Sequence, residues 1–433
     1  MQTLAQLRDG SLTGITRLKL ECGLTTFPDE IFDLAESLEI LDLSGNALSS
    51  LPEDLPRLHR LRILFCSDNQ FTVLPSMLGE CQQLSMIGFK ANQIRTVPAS
   101  ALPPTLRWLI LTDNQITHIP AEIGHCSQLQ KLMLSGNQLN TLPVQLAQCA
   151  RLELLRIAAN RFTSLPEWLL TLPRLSWLAY AGNPLADARE LTALSSTTIP
   201  GIRWEDLQLY EQLGEGASGV IYRASTRHDD TANPLAVKLF KGALTSDGLP
   251  RSEMAACIAA GQHPNLIPIR GKLTGHPEHA DGLIMPLIAP EFRNLAGPPS
   301  LASCTRDIYD DDLSMGGAEL LAIALGMASA AAHLHQRGIL HGDLYGHNLL
   351  HTGDGRALLG DFGAASLFDP DSLQAEALQQ IEVRAYGILL TELIACCPTP
   401  FMPLADIARA CLSEDNRSRP LFSEIVHMLL PLA

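Results

Sequence analysis

The chain has 433 residues, and its 46% hydrophobic content with only 5% aromatic residues is enough to build two or three folded domains. Its 46 acidic residues outnumber its 31 basic residues and give a net charge of −15, which argues against binding to nucleic acid or anionic membranes. We therefore expect no nucleic-acid partner.

Signals for crossing a membrane are weak in this sequence. The N-terminus lacks the basic and apolar regions of a secretory signal, and the apolar run at 320–332 is too short to span a bilayer. The ten cysteines have no CxxC or zinc-finger spacing, so we interpret them as apolar core residues in a reducing compartment. These features predict no membrane span and a cytoplasmic location, and they leave open whether the protein is a translocated effector.

Residues 12–190 contain a repeated motif, LxxLxLxxNxL, whose copies begin 22 or 23 residues apart. A period of this length indicates a solenoid, because one unit cannot bury its leucine face alone whereas a stack of units can. A degenerate first copy carries Gly23 in place of the closing asparagine, as expected of a capping unit. The seven regular copies close on Asn46, Asn69, Asn92, Asn114, Asn137, Asn160 and Asn183.

This pattern resembles the leucine-rich repeat family, with about eight repeats in a domain of residues 1–190. The resemblance implies an α/β solenoid, or horseshoe, in which each LxL segment forms a short strand of a parallel sheet. The buried asparagines would then bond backbone groups that adjacent units leave unpaired.

The positions that the repeat does not fix suggest what the solenoid does. Side chains alternate along a strand, so the residues that flank the second and third leucines should share the concave face. An exposed band of aromatic and Met side chains with cations beside it is typical of a protein-binding surface, although it could also dock onto the second half of this chain. The predicted partner surface contains Phe65, Met86, Trp108, Ile110, Met133 and Trp177.

The repeat periodicity ends after Asn183, and a Ser-, Thr-, Pro- and Gly-rich stretch follows at 195–201. Such a change of composition predicts a domain boundary. We place a short linker at 191–204 and a second domain at 205–433.

The second domain opens with a glycine-rich sequence between two predicted strands. A GxGxxG motif can begin a dinucleotide-binding unit, but there the glycine turn enters a helix. Here the following segment, Val-Ile-Tyr-Arg-Ala at 220–224, reads as a strand, which predicts a β-hairpin over phosphates. The hairpin residues predicted to cover a nucleotide are Gly214, Glu215, Gly216, Ala217, Ser218, Gly219 and Val220.

Four further elements follow in order. Lys238 ends a Leu-Ala-Val-Lys strand, Glu253 lies on a helical stretch, and the apolar segment 283–288 has the composition of a strand that leads into a hinge. His-Gly-Asp-Leu-Tyr-Gly-His-Asn at 341–348 then precedes Asp-Phe-Gly at 361–363. This set and spacing closely resemble the eukaryotic-type protein kinase family, whose bilobal α+β fold is implied for residues 205–433.

The kinase resemblance implies ATP and Mg²⁺ as cofactors and a role for each matching residue. Lys238 would bond the α- and β-phosphates and pair with Glu253, and Asp343 would act as base or orienter for the substrate hydroxyl. The metal ligands would be Asn348 and Asp361. Adenine would contact the hinge near Met285 and Leu287.

Several positions depart from the family pattern. Gly342 replaces the Arg that usually receives an activation-loop phosphate, so we expect activity without loop phosphorylation. Tyr345 stands where serine/threonine kinases carry a Lys, and either its hydroxyl or His347 could partly fill that role; equally, His347 could only pack. Glu382 replaces the usual Asp of the core helix, where it could still accept backbone bonds from the catalytic loop.

The two resemblances together predict a serine/threonine protein kinase: a bacterial-type repeat solenoid fused to a eukaryotic-type kinase domain, in which the repeats recruit the protein substrate. The alternative is a pseudokinase or scaffold whose repeats bind partners. A small-molecule kinase is a third reading, suggested by His-Gly-Asp and the short activation segment. The retained set of phosphate and metal ligands favours the enzyme.

Overall fold

The chain forms two compact units, Met1–Arg174 and Leu175–Ala433, in the computed structural model. The structure describes residues 2–432 except 197, 217, 228–233, 243 and 399–401. We describe each unit by itself.

The first unit begins with a short helix, α1 (Leu4–Arg8), whose first turn is capped by the Thr3 side chain. It continues as a parallel ladder in which neighbouring strands follow one another in sequence order. The strands are β1 (Arg17–Lys19), β2 (Ile40–Asp42), β3 (Ile63–Phe65), β4 (Met86–Gly88), β5 (Trp108–Ile110), β6 (Lys131–Met133) and β7 (Leu154–Arg156).

Short 3-10 helices connect the ladder strands. A proline stands immediately before most of these helices, where its fixed φ suits the extended residue that precedes a first turn. This explains why a Leu-Pro, Val-Pro or Ile-Pro pair follows most of the motif asparagines in the sequence. The helices span Asp29–Leu34, Leu55–Arg57, Ser76–Glu80, Ala99–Ala101, Ala121–His125, Val144–Gln148 and Glu167–Thr171.

The motif asparagines join consecutive repeats through buried hydrogen bonds. Asn137 accepts from the Ile116 N–H at 3.0 Å and donates to the Leu111 and Leu134 carbonyls, both at 2.9 Å. Asn114 repeats this arrangement one unit earlier. The predicted role of the asparagines is thus confirmed, because backbone groups that no strand or helix satisfies find partners there.

The predicted partner surface needs two corrections. Met86 is only 2% exposed, because the in-register ladder places it between Ile63 and Trp108 of the adjacent strands. Trp177 is 1% exposed and belongs to the second unit. The remaining members are half-buried and keep part of their surface open to solvent; they are Phe65, Trp108, Ile110 and Met133.

The second unit begins with the last repeat motif and a helix. Strand β8 (Trp177–Ala179) is followed by helix α2 (Asp187–Leu194). A mixed six-stranded sheet comes next, in the order β10-β11-β12-β14-β13-β9. Its strands are β9 (Gly201–Arg203), β10 (Leu207–Glu215), β11 (Gly219–Thr226), β12 (Leu235–Phe240), β13 (Gly271–Thr274) and β14 (Gly282–Pro286).

The predicted linker at 191–204 contains parts of two of these elements. It includes the end of α2 and all of β9, which pairs in parallel with β13 through the register Gly201 to Lys272. Backbone hydrogen bonding therefore incorporates most of this segment into the second unit. Its Ser- and Thr-rich composition indicated a loop because a three-residue edge strand leaves almost no pattern in a sequence.

Helices dominate the rest of the second unit. They are α3 (Pro250–Ala260), α4 (Gly317–Gln336), α5 (Ala375–Ala395), α6 (Met402–Cys411) and α7 (Phe422–Leu429). Two small sheets accompany them, built from β15 (Arg293–Asn294), β16 (Ile339–Leu340), β17 (Leu349–His351), β18 (Ala357–Leu359) and β19 (Ser366–Leu367). Short 3-10 helices span Trp204–Asp206, Gly346–Asn348, Asn416–Ser418 and Leu430–Leu432.

Helix α4 has the length and apolar composition that a membrane-spanning helix would need. The central helix of a folded domain meets the same criteria, and 56% of its most apolar window is buried inside this structure. The Ala324 carbonyl within it accepts a hydrogen bond from Tyr386 Oη at 2.8 Å. These contacts are typical of a core helix.

Candidate active site

The first component of the site is an ion pair between the sheet and a helix. Lys238 lies on β12 and its ammonium bonds the carboxylate of Glu253 on α3. The two side chains are 16% and 3% exposed. Burial by itself lowers the pKa of Lys238, but the charge and hydrogen bond of Glu253 outweigh it, so the pKa lies above its ordinary value. Lys238 is therefore held as a cation.

A cavity of about 370 Å³ lies beside this pair. Its walls are mostly apolar, as in sites that take a flat aromatic ring, and the charged side chains among them are Lys238, Glu253 and Asp361. The predicted residues Lys238, Glu253, Met285, Leu287 and Asp361 all line it. Residues that were predicted from separate parts of the sequence thus meet around one space.

The hinge segment differs in one detail from expectation. The Leu287 N–H already donates to the Pro234 carbonyl at 2.9 Å, which removes this donor from a ligand. Pro286, between Met285 and Leu287, has no N–H to donate. The adenine ring of a nucleotide bound in the cavity would therefore form its hydrogen bonds with other backbone groups of the segment 283–288.

The glycine-rich segment forms the predicted hairpin of β10 and β11. A β-carbon at Gly219 would lie 2.5 Å from the Leu239 carbonyl oxygen, so close strand approach requires glycine there. At Gly214 and Gly216 a β-carbon would meet nothing within 4 Å, which leaves the backbone open to a ligand. Val220 is half-buried on β11, and Ala217 lies outside the described residues.

Three further bonds, all from Lys241, fix the tip of this hairpin. Lys241 on the neighbouring segment pairs with Glu215 at 2.5 Å and its Nζ donates to the Gly216 carbonyl at 3.3 Å. Its backbone N–H donates to the Ser218 carbonyl at 2.9 Å. Glu215 is thus engaged by Lys241 at the hairpin tip.

The catalytic-loop residues are joined by a side-chain hydrogen bond. Asn348 Nδ2 donates to Asp343 twice, to Oδ2 at 3.0 Å and to the backbone carbonyl at 2.9 Å. This orients the Asn348 amide so that its oxygen is turned away from Asp343. Asn348 therefore holds the Asp343 side chain in one orientation.

Asp361 adopts a backbone conformation that is rare outside glycine, with φ of 52°. Its Oδ1 accepts the Gly363 N–H at 3.1 Å, and the neighbouring Phe362 ring packs 5.1 Å from His341. His341 in turn bonds the Gly360 carbonyl at 2.8 Å. Packing on both sides of Asp361 therefore holds its carboxylate at the cavity wall.

The oxygen donors here suit Mg²⁺, which prefers carboxylate and carbonyl ligands. Asp361 and Asn348 would hold the ion. The Gly360 N–H donates to the Asn348 carbonyl at 3.0 Å, so the residue immediately before Asp361 is bonded to Asn348. The residues present thus fit the metal that the kinase resemblance implies.

Glu382 performs the role expected of it. Its Oε1 accepts the Gly342 N–H at 2.6 Å and its Oε2 bonds His335 at 2.7 Å, all inside the core. Burial raises the pKa of Glu382, but the bonds from His335 and Gly342 outweigh it and the pKa is lowered. An ionised Glu382 therefore supports the catalytic loop, as the sequence predicted.

Of the two groups considered for the missing cation, the structure favours His347. Tyr345 is buried and its ring stacks on another aromatic side chain. His347 bonds Asp307 through Nδ1 at 2.7 Å and through its backbone N–H at 2.9 Å. Burial lowers the pKa of His347, but Asp307, Asp343 and Asp361 outweigh it and raise the pKa.

Sequence reasoning missed three supporting residues. Asp307 lies between β15 and α4 in a segment without a motif, so the sequence gave no sign of it. His335 is one of two histidines in the last turn of α4, and Trp177 was assigned to the partner surface. The departures from the family pattern at Gly342 and Tyr345 were signals that something unusual packs on the catalytic loop.

A half-buried carboxylate on α5, that of Glu392, predicts a pH effect on stability. Glu392 on α5 accepts from Tyr309 Oη at 3.1 Å, and burial together with the charge of Asp307 raises its pKa from 4.5 to about 7. The folded state therefore binds more protons than the unfolded state between these values, so stability falls as pH rises through them. We expect Glu392→Gln to raise the free energy of unfolding by about 1–2 kcal/mol at pH 8.

Thermal and urea denaturation at pH 4.5 and pH 8 measure this effect. The variant and the wild type should be equally stable at the lower pH. Glu376→Gln, at an exposed position of the same helix, is the control and should show no such difference. A Glu392→Gln protein with wild-type stability at pH 8 would contradict the raised pKa.

Comparison with known proteins agrees with this geometry. Residues 207–386 match the family model described as protein kinase domain, and residues 37–58 and 104–162 match leucine-rich repeat models. The Drosophila melanogaster serine/threonine-protein kinase PITSLRE is 26% identical over 222 residues, which cover 50% of this chain and 22% of that protein.

Two other relatives align with parts of this chain. Cyclin-dependent kinase 11B of Rattus norvegicus is 29% identical over 163 residues, or 37% of this chain and 34% of the relative. The angiopoietin-1 receptor of Danio rerio is 23% identical over 299 residues, or 56% of this chain and 26% of the relative. The chain thus spans between 22% and 34% of the length of these relatives.

Proposed function

We propose that this chain, which carries leucine-rich repeats followed by a protein kinase domain, transfers the γ-phosphate of ATP to a serine or threonine hydroxyl of a protein. The observation that carries the proposal is the convergence of Lys238, Glu253 and Asp361 on one cavity of about 370 Å³. A binding-only domain would need neither the buried ion pair nor the metal-facing carboxylate.

Each residue of the site has a task in this reaction. Lys238, kept charged by Glu253, binds the α- and β-phosphates, and the open backbone at Gly214 and Gly216 covers them. Asp343, oriented by Asn348, accepts the proton of the attacking hydroxyl. Asn348 and Asp361 would hold Mg²⁺, which would supply positive charge to neutralise the phosphate oxygens.

We further propose that the repeats recruit the substrate. The half-buried side chains Phe65, Trp108, Ile110 and Met133 form the recruiting surface. Lys131 Nζ lies 4.5 Å from the Trp108 ring centroid and adds a cation to it. A protein held there would present its hydroxyl to the active site at a high effective concentration. Such tethering raises the rate of transfer without requiring a stronger contact at the active site itself.

A scaffold without catalysis is the second candidate. The specific observation in its favour is that a buried tyrosine, Tyr345, occupies the position of a catalytic cation. In that case the repeats would bind partners and the kinase domain would bind nucleotide without transferring phosphate.

Incubation with γ-labelled ATP and Mg²⁺, followed by identification of the labelled residues, separates the two. The wild type should label serine or threonine in itself or in a captured protein, and Asp361→Ala should abolish the label. Asp371→Ala, which removes an exposed carboxylate nearby in sequence, is the matched control and should label normally. Equal label from wild type and Asp361→Ala would refute the transferase, and label on tyrosine alone would refute the acceptor class.

A further inference from the structure

The last repeat motif lies directly against the catalytic loop. The Trp177 ring stacks on Tyr345, with centroids 4.1 Å apart and planes at 7°. Trp177 Nε1 donates to the Leu344 carbonyl at 3.2 Å. The side chains of Trp177 and Tyr345 are both buried. Trp177 therefore holds Leu344 and Tyr345, the two residues that follow Asp343.

The same strand also holds the segment that follows Asp-Phe-Gly. The Tyr180 N–H donates to Ser366 Oγ at 2.9 Å, and Tyr180 Oη donates to the Leu367 carbonyl at 3.4 Å. Ser366 and Leu367 form β19, which pairs with β16 just before the catalytic loop. The start of the activation segment is therefore bonded to the repeat strand as well as to the domain's own sheet.

The surroundings of Gly342 explain why no larger residue stands immediately before Asp343. Its φ is +73°, and a β-carbon there would lie 2.9 Å from the Leu178 carbonyl oxygen and 2.5 Å from that of Ala364. The Ala364 and Leu178 carbonyls together occupy the space that a side chain at 342 would need. A glycine in place of the Arg of the family pattern therefore allows both the repeat strand and the segment after Asp-Phe-Gly to approach residue 342 closely.

A second contact reaches the ATP side of the site. Glu190 on α2 accepts the Gly182 N–H through Oε1 at 2.8 Å and Ser252 Oγ through Oε2 at 2.7 Å. Ser252 immediately precedes Glu253, the partner of Lys238. The bond to α3 therefore acts one residue away from the ion pair that holds the phosphate-binding lysine.

We propose that residues 175–194, which we name the clamp, hold the kinase domain in its active arrangement and replace an activation-loop phosphate. Trp177, Tyr180 and Glu190 are positioning residues: Trp177 and Tyr180 fix the catalytic loop and activation segment, and Glu190 fixes the helix that carries Glu253. This proposal deepens the proposed function and rests on it for its kinetic part. A misplacement of catalytic groups by about 1 Å can cost on the order of 100-fold in rate, so such support has a measurable value.

The two arms of the clamp should give different kinetic effects. Trp177→Ala is expected to lower kcat about 100-fold and to leave the KM for ATP within about twofold, because it loosens only the proton-accepting side. Glu190→Ala is expected to raise the KM for ATP about tenfold, because the Lys238 and Glu253 pair loses its support.

Conservative variants separate positioning from general destabilisation. Trp177→Phe keeps an aromatic ring over Tyr345 and should recover most of kcat. Glu190→Gln keeps an oxygen that accepts the Gly182 N–H, and its amide NH₂ can donate to Ser252 Oγ, so it should recover KM. Leu191→Ala, at an exposed position of α2, should behave as the wild type. Should Trp177→Ala fail to fold, the contrast between Glu190→Ala and Glu190→Gln decides by itself.

Hydrogen exchange of the full-length protein provides a readout that does not need catalysis. Amides of residues 339–350 should exchange at least tenfold faster in Trp177→Ala than in the wild type. If the wild type transfers no phosphate but this difference is present, the proposed function fails and the clamp stands. Unchanged exchange, or equal kinetic constants in Trp177→Ala, Glu190→Ala and the wild type, overturns the clamp.

Discussion

Replacing Asp343 with asparagine is expected to lower kcat for phosphoryl transfer by about 10²–10⁴-fold and to leave the affinity for ATP unchanged. Asparagine has the same shape and can still accept the hydrogen bond from Asn348, so the loop should keep its structure. It cannot take the proton of the attacking hydroxyl at neutral pH. Initial rates with labelled ATP measure kcat, and equilibrium dialysis measures nucleotide binding.

Asp311→Asn is the matched control for this variant. It makes the same chemical change at an exposed position and should leave both quantities as they are in the wild type. A kcat for Asp343→Asn within a factor of a few of the wild type would show that the proton goes elsewhere. That result would remove Asp343 from the catalytic residues. It would not affect the roles proposed for Lys238 and Asp361.

The second large effect is a loss of stability that we expect when Gly342 is replaced. Gly342→Ala should lower the free energy of unfolding by about 3 kcal/mol, because a residue with φ of +73° is strained and its β-carbon would press on the Leu178 and Ala364 carbonyls. Gly342→Arg, which restores the residue that the family usually carries, should be worse. Chemical denaturation measures the stability of Gly342→Ala, and the yield of folded protein measures the effect of Gly342→Arg.

Gly353 supplies the control for the backbone term alone. Its φ is +80°, but a β-carbon there would meet nothing within 4 Å. Gly353→Ala should therefore cost only about 1 kcal/mol. If both alanine variants lose the same stability, the close approach of the repeat strand to Gly342 has no energetic weight.

Much of this architecture is readable from the sequence because local patterns determine it. The strands repeat every 22 or 23 residues, and each motif asparagine makes the same set of bonds, so register alone predicts the ladder. The residues of the proposed nucleotide site were equally predictable from the sequence. Lys238, Asp343 and Asp361 stand at fixed places relative to short motifs, and the chemistry of ATP and Mg²⁺ demands those groups.

Other features depended on contacts that no local pattern encodes. Trp177 and Tyr345 stack across a large sequence separation, and alternation along the strand could only say which face Trp177 occupies. Met86 followed the same alternation, but the bulk of neighbouring Trp108 and Ile63 decides its burial. The linker composition hid α2 and β9 because short elements are stabilised by tertiary packing rather than by propensity.

The position of the last repeat strand limits how freely this protein's halves can be exchanged. Leu175 is the first leucine of a repeat motif, yet it opens the compact unit that contains the kinase domain. A fragment beginning at residue 205 would lack Trp177, Tyr180 and Glu190 and expose the apolar surfaces that they cover. Recombination between such proteins would therefore preserve a working transferase only when the crossover falls upstream of Leu175, so the terminal repeat should be inherited together with the kinase domain.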